Sequence, residues 1–353
     1  MGNVSRSMEQ RELAGWHREI MRRLVAVSLT DVKVNHPVVA GALEKVFKAL
    51  NRPVLPIRWA KDGQDAQALI ARAGVISEVD DVKVNPGTFR SGFIRKQDNW
   101  RNALDEALTA AQSGVLQFVI ELICGGSEFE YRTKHGHASV WCTAGNALEF
   151  AARAAAECAW AHEYYETESR FRQYDISGFE KDWFPFVDAY EAGLWLFWLT
   201  GSEVIALSRP IVQLNGQQVH SEDGAAVRWP EGEEEYFVIN GVRVTRVIIE
   251  TPAGELDPRL ILHERNAAVR REIVRKIGIE RVCRGLNAQC VDRQGDYELL
   301  MLDLHDERAR PFLKMKDPSR GIYHIEGVAP ECETVASALA WRNDTHVPPA
   351  VLT

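Results

Sequence analysis

The sequence predicts an α+β protein, with a mixed α/β half first and an antiparallel β-meander packed with helices after it. Three observations lead there. Up to Thr200, segments with helical apolar spacing alternate with short apolar runs. From Arg209 the apolar period changes to two, the period of a strand with one buried face. The turn pairs Asn215-Gly216, Asp223-Gly224, Pro230-Glu231-Gly232 and Asn240-Gly241 then follow closely, as sequence-adjacent strand pairing requires.

Ser7 to Val27 reads as a helix, with Ser7 and Gln10 placed for a capping box. A second helix follows Asn35 and Pro37 and runs to Leu50. Pro53 to Trp59 is a short strand, and Asp62 to Ala73 a helix closed by Gly74. Asp98 to Gln112 is a helix that leads into an apolar strand, Val115 to Ile123. Alanine-rich Asn146 to Tyr165 and tryptophan-rich Lys181 to Thr200 read as long helices, the second buried on several sides.

In the second half, Ile211-Leu214 and Gln217-His220 form a hairpin with a type I′ turn at Asn215-Gly216. Ala225-Trp229, Glu234-Ile239 and Val242-Val247 continue the meander. The alternation puts Val227 with Trp229 on one face, and Tyr236 with Val238 likewise. The acidic run Glu231 to Glu235 reads as a solvated edge that discourages strand aggregation. Asp257-Pro258 starts a helix that stops at Gly278. Strands at Tyr297-Leu304, Pro311-Met315 and Gly321-Val328 precede a last helix, Thr334-Arg342. The expected domains are 1–204 and 205–353.

Composition narrows the function classes. With 42 Lys and Arg against 50 Asp and Glu, the 353-residue chain carries a formal charge of -8, so a global basic footprint for nucleic acid is missing. The six cysteines, at 124, 142, 158, 283, 290 and 332, form no CxxC pair and suit reduced thiols in the cytoplasm. The N-terminal stretch is charged and lacks an apolar signal region, and Arg6 stands where N-myristoylation wants Ser or Thr. The most apolar run, Leu194 to Leu199, is too short to cross a bilayer, so no membrane partner is expected.

His220 to Val244 (HSEDGAAVRWPEGEEEYFVINGVRV) and His263 to Val282 (HERNAAVRREIVRKIGIERV) carry a resemblance. They resemble a bacterial family of domains without an assigned function. That family's pattern runs near H-x-E-D-G-P-A, W/Y-P-D-G, H-G-x-R-V-P and a helix with E-R-N-A-E-V-R-R. The resemblance covers mainly the second half, including the final SALAW helix. It departs at Ala225 and Thr245, where the family usually has Pro, and at Asn240, where it often has His. The HxEDG-type hairpin is also similar to the stacked hairpins of MORN-like proteins, which implies an interaction scaffold.

Candidate chemistry sits in a few constellations. On the helix Asp257-Lys276, His263, Asn266 and Arg270 fall on or beside the apolar stripe. Asn266 and Arg270 are expected to be buried there and to fix how the helix docks. The competing assignment is an anion pocket using Arg270 and Arg271. His220-x-Glu222-Asp223 offers an acid/base set or a plain turn, and the turn is favoured. His135 and His137 with Cys142, and His162, match no standard metal spacing, so no metal and no cofactor is expected. Cys124-Gly125-Gly126 reads as a turn, since GxGxxG, GxxxxGK[ST], GxSxG and HExxH are absent.

The candidate functional residues are therefore His220, Glu222, Asp223, Trp229, Arg243, Glu264, Asn266, Arg270 and Arg271. The expected role is a protein-interaction or regulatory module, because Trp and Arg anchor interfaces and no catalytic motif is present. One alternative is an enzyme using His220, Asp223 and Arg270, or His135 and His137. The other is nucleic-acid binding through Arg265, Arg270, Arg271, Arg275 and Lys276.

Overall fold

The computed structural model describes residues 2–49, 53–73, 98–124, 130–133, 136–139, 145–148, 151–152, 154–156, 158–159, 179–303, 309–316 and 323–344. The fold is α+β. The chain forms two compact units, residues 1–221 with 225–236 and residues 222–224 with 237–353. The division thus falls later than the expected 204/205. The strand at 204–208 is hydrogen-bonded on both sides within the first unit, so the chain cannot part there.

The first unit starts with α1 (Gly2–Ala26) and α2 (His36–Ala49), then β1 (Ile57–Ala60), α3 (Gly63–Ala73), α4 (Asp98–Ala110) and α5 (Ser113–Cys124). Asn35 Oδ1 accepts from Val38 N at 3.3 Å and caps the start of α2. Strands β2 (Glu130–Thr133) and β3 (Gly136–Ser139) pair as a hairpin. Next come β4 (Gly145–Asn146), α6 (Phe179–Glu191), β5 (Leu194–Leu199) and β6 (Val204–Ser208). The short strands β7 (Ile211–Val212), β8 (Leu214–Asn215), β9 (Gln218–Val219) and β10 (Val227–Arg228) lead to β11 (Glu235–Ile239). The main sheet has the order β1-β6-β5-β4, with β1 parallel to β6 and the other pairs antiparallel. Trp195 and Trp198 of β5, Trp229, and Tyr190 and Phe186 of α6 are the largest fully buried side chains among the described residues.

Several expectations change here. Val115–Ile123 lies in helix α5, not a strand. Val115, Leu116, Val119 and Leu122 are its buried residues, a helical spacing inside an apolar run. The helix expected over Lys181–Thr200 stops at Glu191. Gly193 holds φ +102, and an added Cβ would meet Val34 Cα at 3.1 Å, so only glycine fits the reversal into the fully apolar strand β5. Of the expected helix Asn146–Tyr165, residues 147–148, 151–152, 154–156 and 158–159 are helical, and 160–165 lie outside the described residues. The turn between β8 and β9 is Gly216-Gln217, with positive φ at Gly216 alone, so it is not type I′.

The acidic run is not uniformly solvated either. Glu234 is buried, and its Oε2 accepts from Gln64 N at 3.1 Å while Tyr236 OH donates to its Oε1. Buried Asp62 accepts from Glu233 N and Glu234 N through Oδ2, at 3.1 and 3.3 Å, and from Asp65 N through Oδ1 at 2.8 Å. Two carboxylates thus meet the unsatisfied N–H groups at the start of α3 and in the turn after Trp229. Trp229 itself is buried, with Nε1 donating to Ser208 O at 3.0 Å.

The second unit takes the last residues of β11, then β12 (Val242–Val244), α7 (Arg246–Glu250), α8 (Leu260–His263), α9 (Ala267–Ile277) and α10 (Ile279–Gly285). Strands β13 (Gln289–Gln294), β14 (Tyr297–Leu302), β15 (Arg310–Lys316) and β16 (Tyr323–Gly327) form an antiparallel meander before α11 (Val335–Arg342). The turn expected at Asn240-Gly241 is present and is type I′, with φ 50 and 74. The strand expected to reach Val247 ends at Val244, because Thr245 starts α7. Thr334 and Ser337 close a capping box on α11. One sheet face packs Leu299, Leu313 and Met315 against Val335, Ala338 and Leu339 of α11. The helix expected over Asp257–Lys276 is two helices, α8 and α9, broken at Glu264–Asn266.

Gly232→Ala is expected to destabilise the first unit. The new Cβ would lie 2.7 Å from Asp62 Cβ and 2.8 Å from Lys61 O, an overpacking that costs about 1–3 kcal/mol. Chemical denaturation of the variant measures it, and wild-type stability would refute the contact. Tyr190 supplies a pH test. Burial pushes its phenol up to about 12, against the pull of the Arg209 charge 4.9 Å from the ring centroid. A raised folded value means full stability below the ordinary value near 10 and loss as pH rises to about 12. Melting temperature followed over that window should fall by the equivalent of about 2 kcal/mol, and Tyr190→Phe should flatten the fall.

Candidate functional site

In the second unit α9, α10 and the sheet face opposite α11 enclose a cleft of about 1080 Å³. The sheet supplies Leu302, Phe312, Tyr323, Ile325 and Gly327, which the alternation of β14, β15 and β16 brings to one face. The helices supply Val274, Ile279 and Val282 as apolar wall, and Arg270, Arg271, Glu272 and Arg275 as charge. Arg310, at the start of β15, adds a fourth arginine.

Asn266 is the N-cap of α9, its Oδ1 accepting from Ala268 N at 2.9 Å, while Glu264 Oε1 accepts from Asn266 N at 2.7 Å. Asn266 is exposed, so its expected burial is wrong: it ends the preceding turn instead of pairing with the meander. The cap fixes where α9 begins, and helical spacing then turns Arg270, Arg271 and Val274 to the cleft.

Glu272 is the buried charge of the described lining. Its side chain is 7% exposed, and Oε2 accepts from Arg275 Nε at 2.8 Å and from Asn240 Nδ2 at 3.0 Å. Arg275 Nη2 also donates to Glu222 Oε1 at 2.8 Å. Burial pulls the Arg275 guanidinium down, but its bonds to Glu272 and Glu222 outweigh this and leave it above its usual value. Lys276 turns the other way and donates through Nζ to Ile248 O at 2.6 Å.

The helix docking expected of Arg270 is therefore done by Glu272, Arg275 and Asn240. Arg270 is half-buried and Arg271 exposed, and among the described residues neither has an ion-pair partner. Glu222 belongs to the ion-pair chain, and Asp223 is exposed in the same turn. His220 falls in the first unit, whereas Glu222 and Asp223 fall in the second. Arg243 is exposed on β12, and Trp229 is core of the first unit. The side chains of His135, His137, Cys142 and His162 lie outside the described residues, as does Gly125-Gly126. Among the described residues no three His, Cys, Asp or Glu group to hold a metal.

The sequence reading missed Arg310, Phe312, Tyr323 and Ile325, because nothing local marks a strand residue as lining a cleft. It also missed Lys314, a lysine 7% exposed whose Nζ bonds Glu280 at 2.5 Å and lies 4.5 Å from the Tyr323 ring centroid. Burial lowers the Lys314 ammonium, but Glu280 and Glu298 raise it further, so it stays charged. One face of Tyr323 is thereby occupied.

No family model matches the chain, and no curated protein and no solved structure matches it either. No helix among the described residues is long and apolar enough to cross a membrane.

Stability measurements on two arginines check this arrangement. Arg275→Ala leaves Glu272 buried with Asn240 alone and should cost about 1–2 kcal/mol, discounted because the Arg275 side chain is 43% exposed. Arg270→Ala should shift stability by less than about 0.5 kcal/mol. Urea denaturation of both variants decides it, and a larger loss at 270 than at 275 would overturn the assignment.

Proposed function

We propose that the second unit is a protein-interaction module that holds a segment of its partner in the α9–sheet cleft. One observation carries this: an apolar-floored cleft of about 1080 Å³ whose arginines 270 and 271 have no ion-pair partner among the described residues. Its volume reaches the top of the range for a small-molecule site, about 300–1,000 Å³, which leaves room for several peptide side chains. Arginine and aromatic residues at the centre of a concave patch are the usual anchors of protein interfaces.

The lining supports binding over turnover. Among the described residues it shows no His, Cys, Ser or Asp, and its one described acid, Glu272, already holds Arg275 and Asn240. A general base needs free lone pairs within reach of a proton. The nucleic-acid alternative has less support, because Arg275 and Lys276 are engaged within the unit.

Panning a random peptide library on the full-length protein tests the module. Selected peptides should bind at least tenfold more weakly to Phe312→Ala and to Val274→Ala, both half-buried lining positions, with melting temperatures that confirm folding. Peptides indifferent to both substitutions, or no selection at all, would refute the cleft as an interface.

A further inference from the structure

The cleft is a local inversion of the chain's charge. The protein carries -8 overall, yet among the described residues the lining holds four arginines against one glutamate. Arg275 cancels that glutamate at 2.8 Å. What remains at the helix side is two adjacent guanidiniums, on α9, beside an aliphatic wall of Val274, Ile279 and Val282. Resting on the interaction-module reading, we infer that the partner segment is acidic: a short peptide stretch that places carboxylates on Arg270 and Arg271 and aliphatic or aromatic side chains on Phe312 and Ile325.

The chemistry favours this occupant. A guanidinium presents a planar fork of donors that matches a carboxylate with two parallel hydrogen bonds, stronger than a bond between neutral groups. Arg270 and Arg271 need no rearrangement of the buried network to provide it, since Glu272 takes its bonds from Arg275 and Asn240. The apolar floor rewards side chains that leave water, which a chain of phosphates does not supply. A single-stranded nucleic acid would look for open aromatic faces on which to stack bases. Among the described residues the lining has two aromatics, Phe312 and Tyr323, and Lys314 already lies over the Tyr323 ring at 4.5 Å.

Fluorescence anisotropy on the full-length protein tests the inference with a labelled hexapeptide that alternates glutamate with leucine and phenylalanine. Its partner probe has glutamine in place of every glutamate. The acidic peptide is expected to bind at least tenfold more tightly at low salt, with the gap narrowing as salt screens the charges. The double variant Arg270→Gln/Arg271→Gln should remove that gap and keep the wild-type melting temperature. Phe312→Ala should weaken both peptides alike. Equal binding of the two peptides, both sensitive to Phe312→Ala, would overturn the acidic assignment and leave the module standing. Binding of neither peptide, with the panned library also empty, would remove the module itself. A uridine hexamer that binds more tightly than the acidic peptide and depends on Arg270 and Arg271 would replace the peptide by a nucleic acid. Dodecanoate that binds there while both peptides fail would replace it by a small amphiphile.

Discussion

The second unit depends on one carboxylate that has almost no water around it. A buried ion must be paired and hydrogen-bonded or it shifts the fold away from itself. Glu272 meets that condition by collecting Arg275 from its own helix and Asn240 from the type I′ turn, and Arg275 extends the chain to Glu222. Glu222, Asn240 and the Glu272–Arg275 turn of α9 come from three separate stretches of the chain and become one network here. These bonds set a docking geometry, and the docked helix in turn leaves Arg270 and Arg271 at the cleft with no ion-pair partner among the described residues.

The first unit solves the same problem with the backbone. Asp62 and Glu234 are both buried, and each takes N–H groups that a helix start or a tight turn cannot satisfy internally. Gly232 allows the turn to close onto Asp62 because it has no Cβ. Arg209 is buried, and among the described residues no carboxylate pairs with it. It donates to Ser28 O at 3.0 Å and rests on the Tyr190 ring, so burial lowers its guanidinium and raises the neighbouring phenol.

How much of this was legible depended on how local the determining physics is. Asn240-Gly241 announced its turn because few residue pairs accept two positive φ values in succession. Thr334 announced the last helix because the cap is a property of four residues. The α+β class followed from the change of period. By contrast Val115–Ile123 reads as a strand yet folds as a helix, since a short apolar run has no readable period. The reversal at Gly193 needed the close approach of Val34, which lies far away in the chain. At the site, Arg270 and Arg271 stand out in the sequence as a charge pair, but the helix is capped at Asn266, and that shift moves the buried face from Arg270 to Glu272. Arg310, Phe312, Tyr323 and Ile325 came to the cleft only through strand register, which no single stretch of sequence encodes.

Strand β13 closes one side of the sheet, and its residues are mostly exposed. Its ladder with β14 is interrupted by a bulge between Cys290 and Asp292. Asp292 Oδ2 is turned inward to accept from Val335 N at 2.7 Å at the start of α11. A bulge bends and twists the border of a sheet, so an incoming strand finds donors and acceptors out of step. Arg293 beside it pairs with Glu298 at 2.9 Å and lays a charged arm there. Crowded copies of this chain therefore meet a frayed seam on that side, where a straight strand would have invited growth of one sheet into the next.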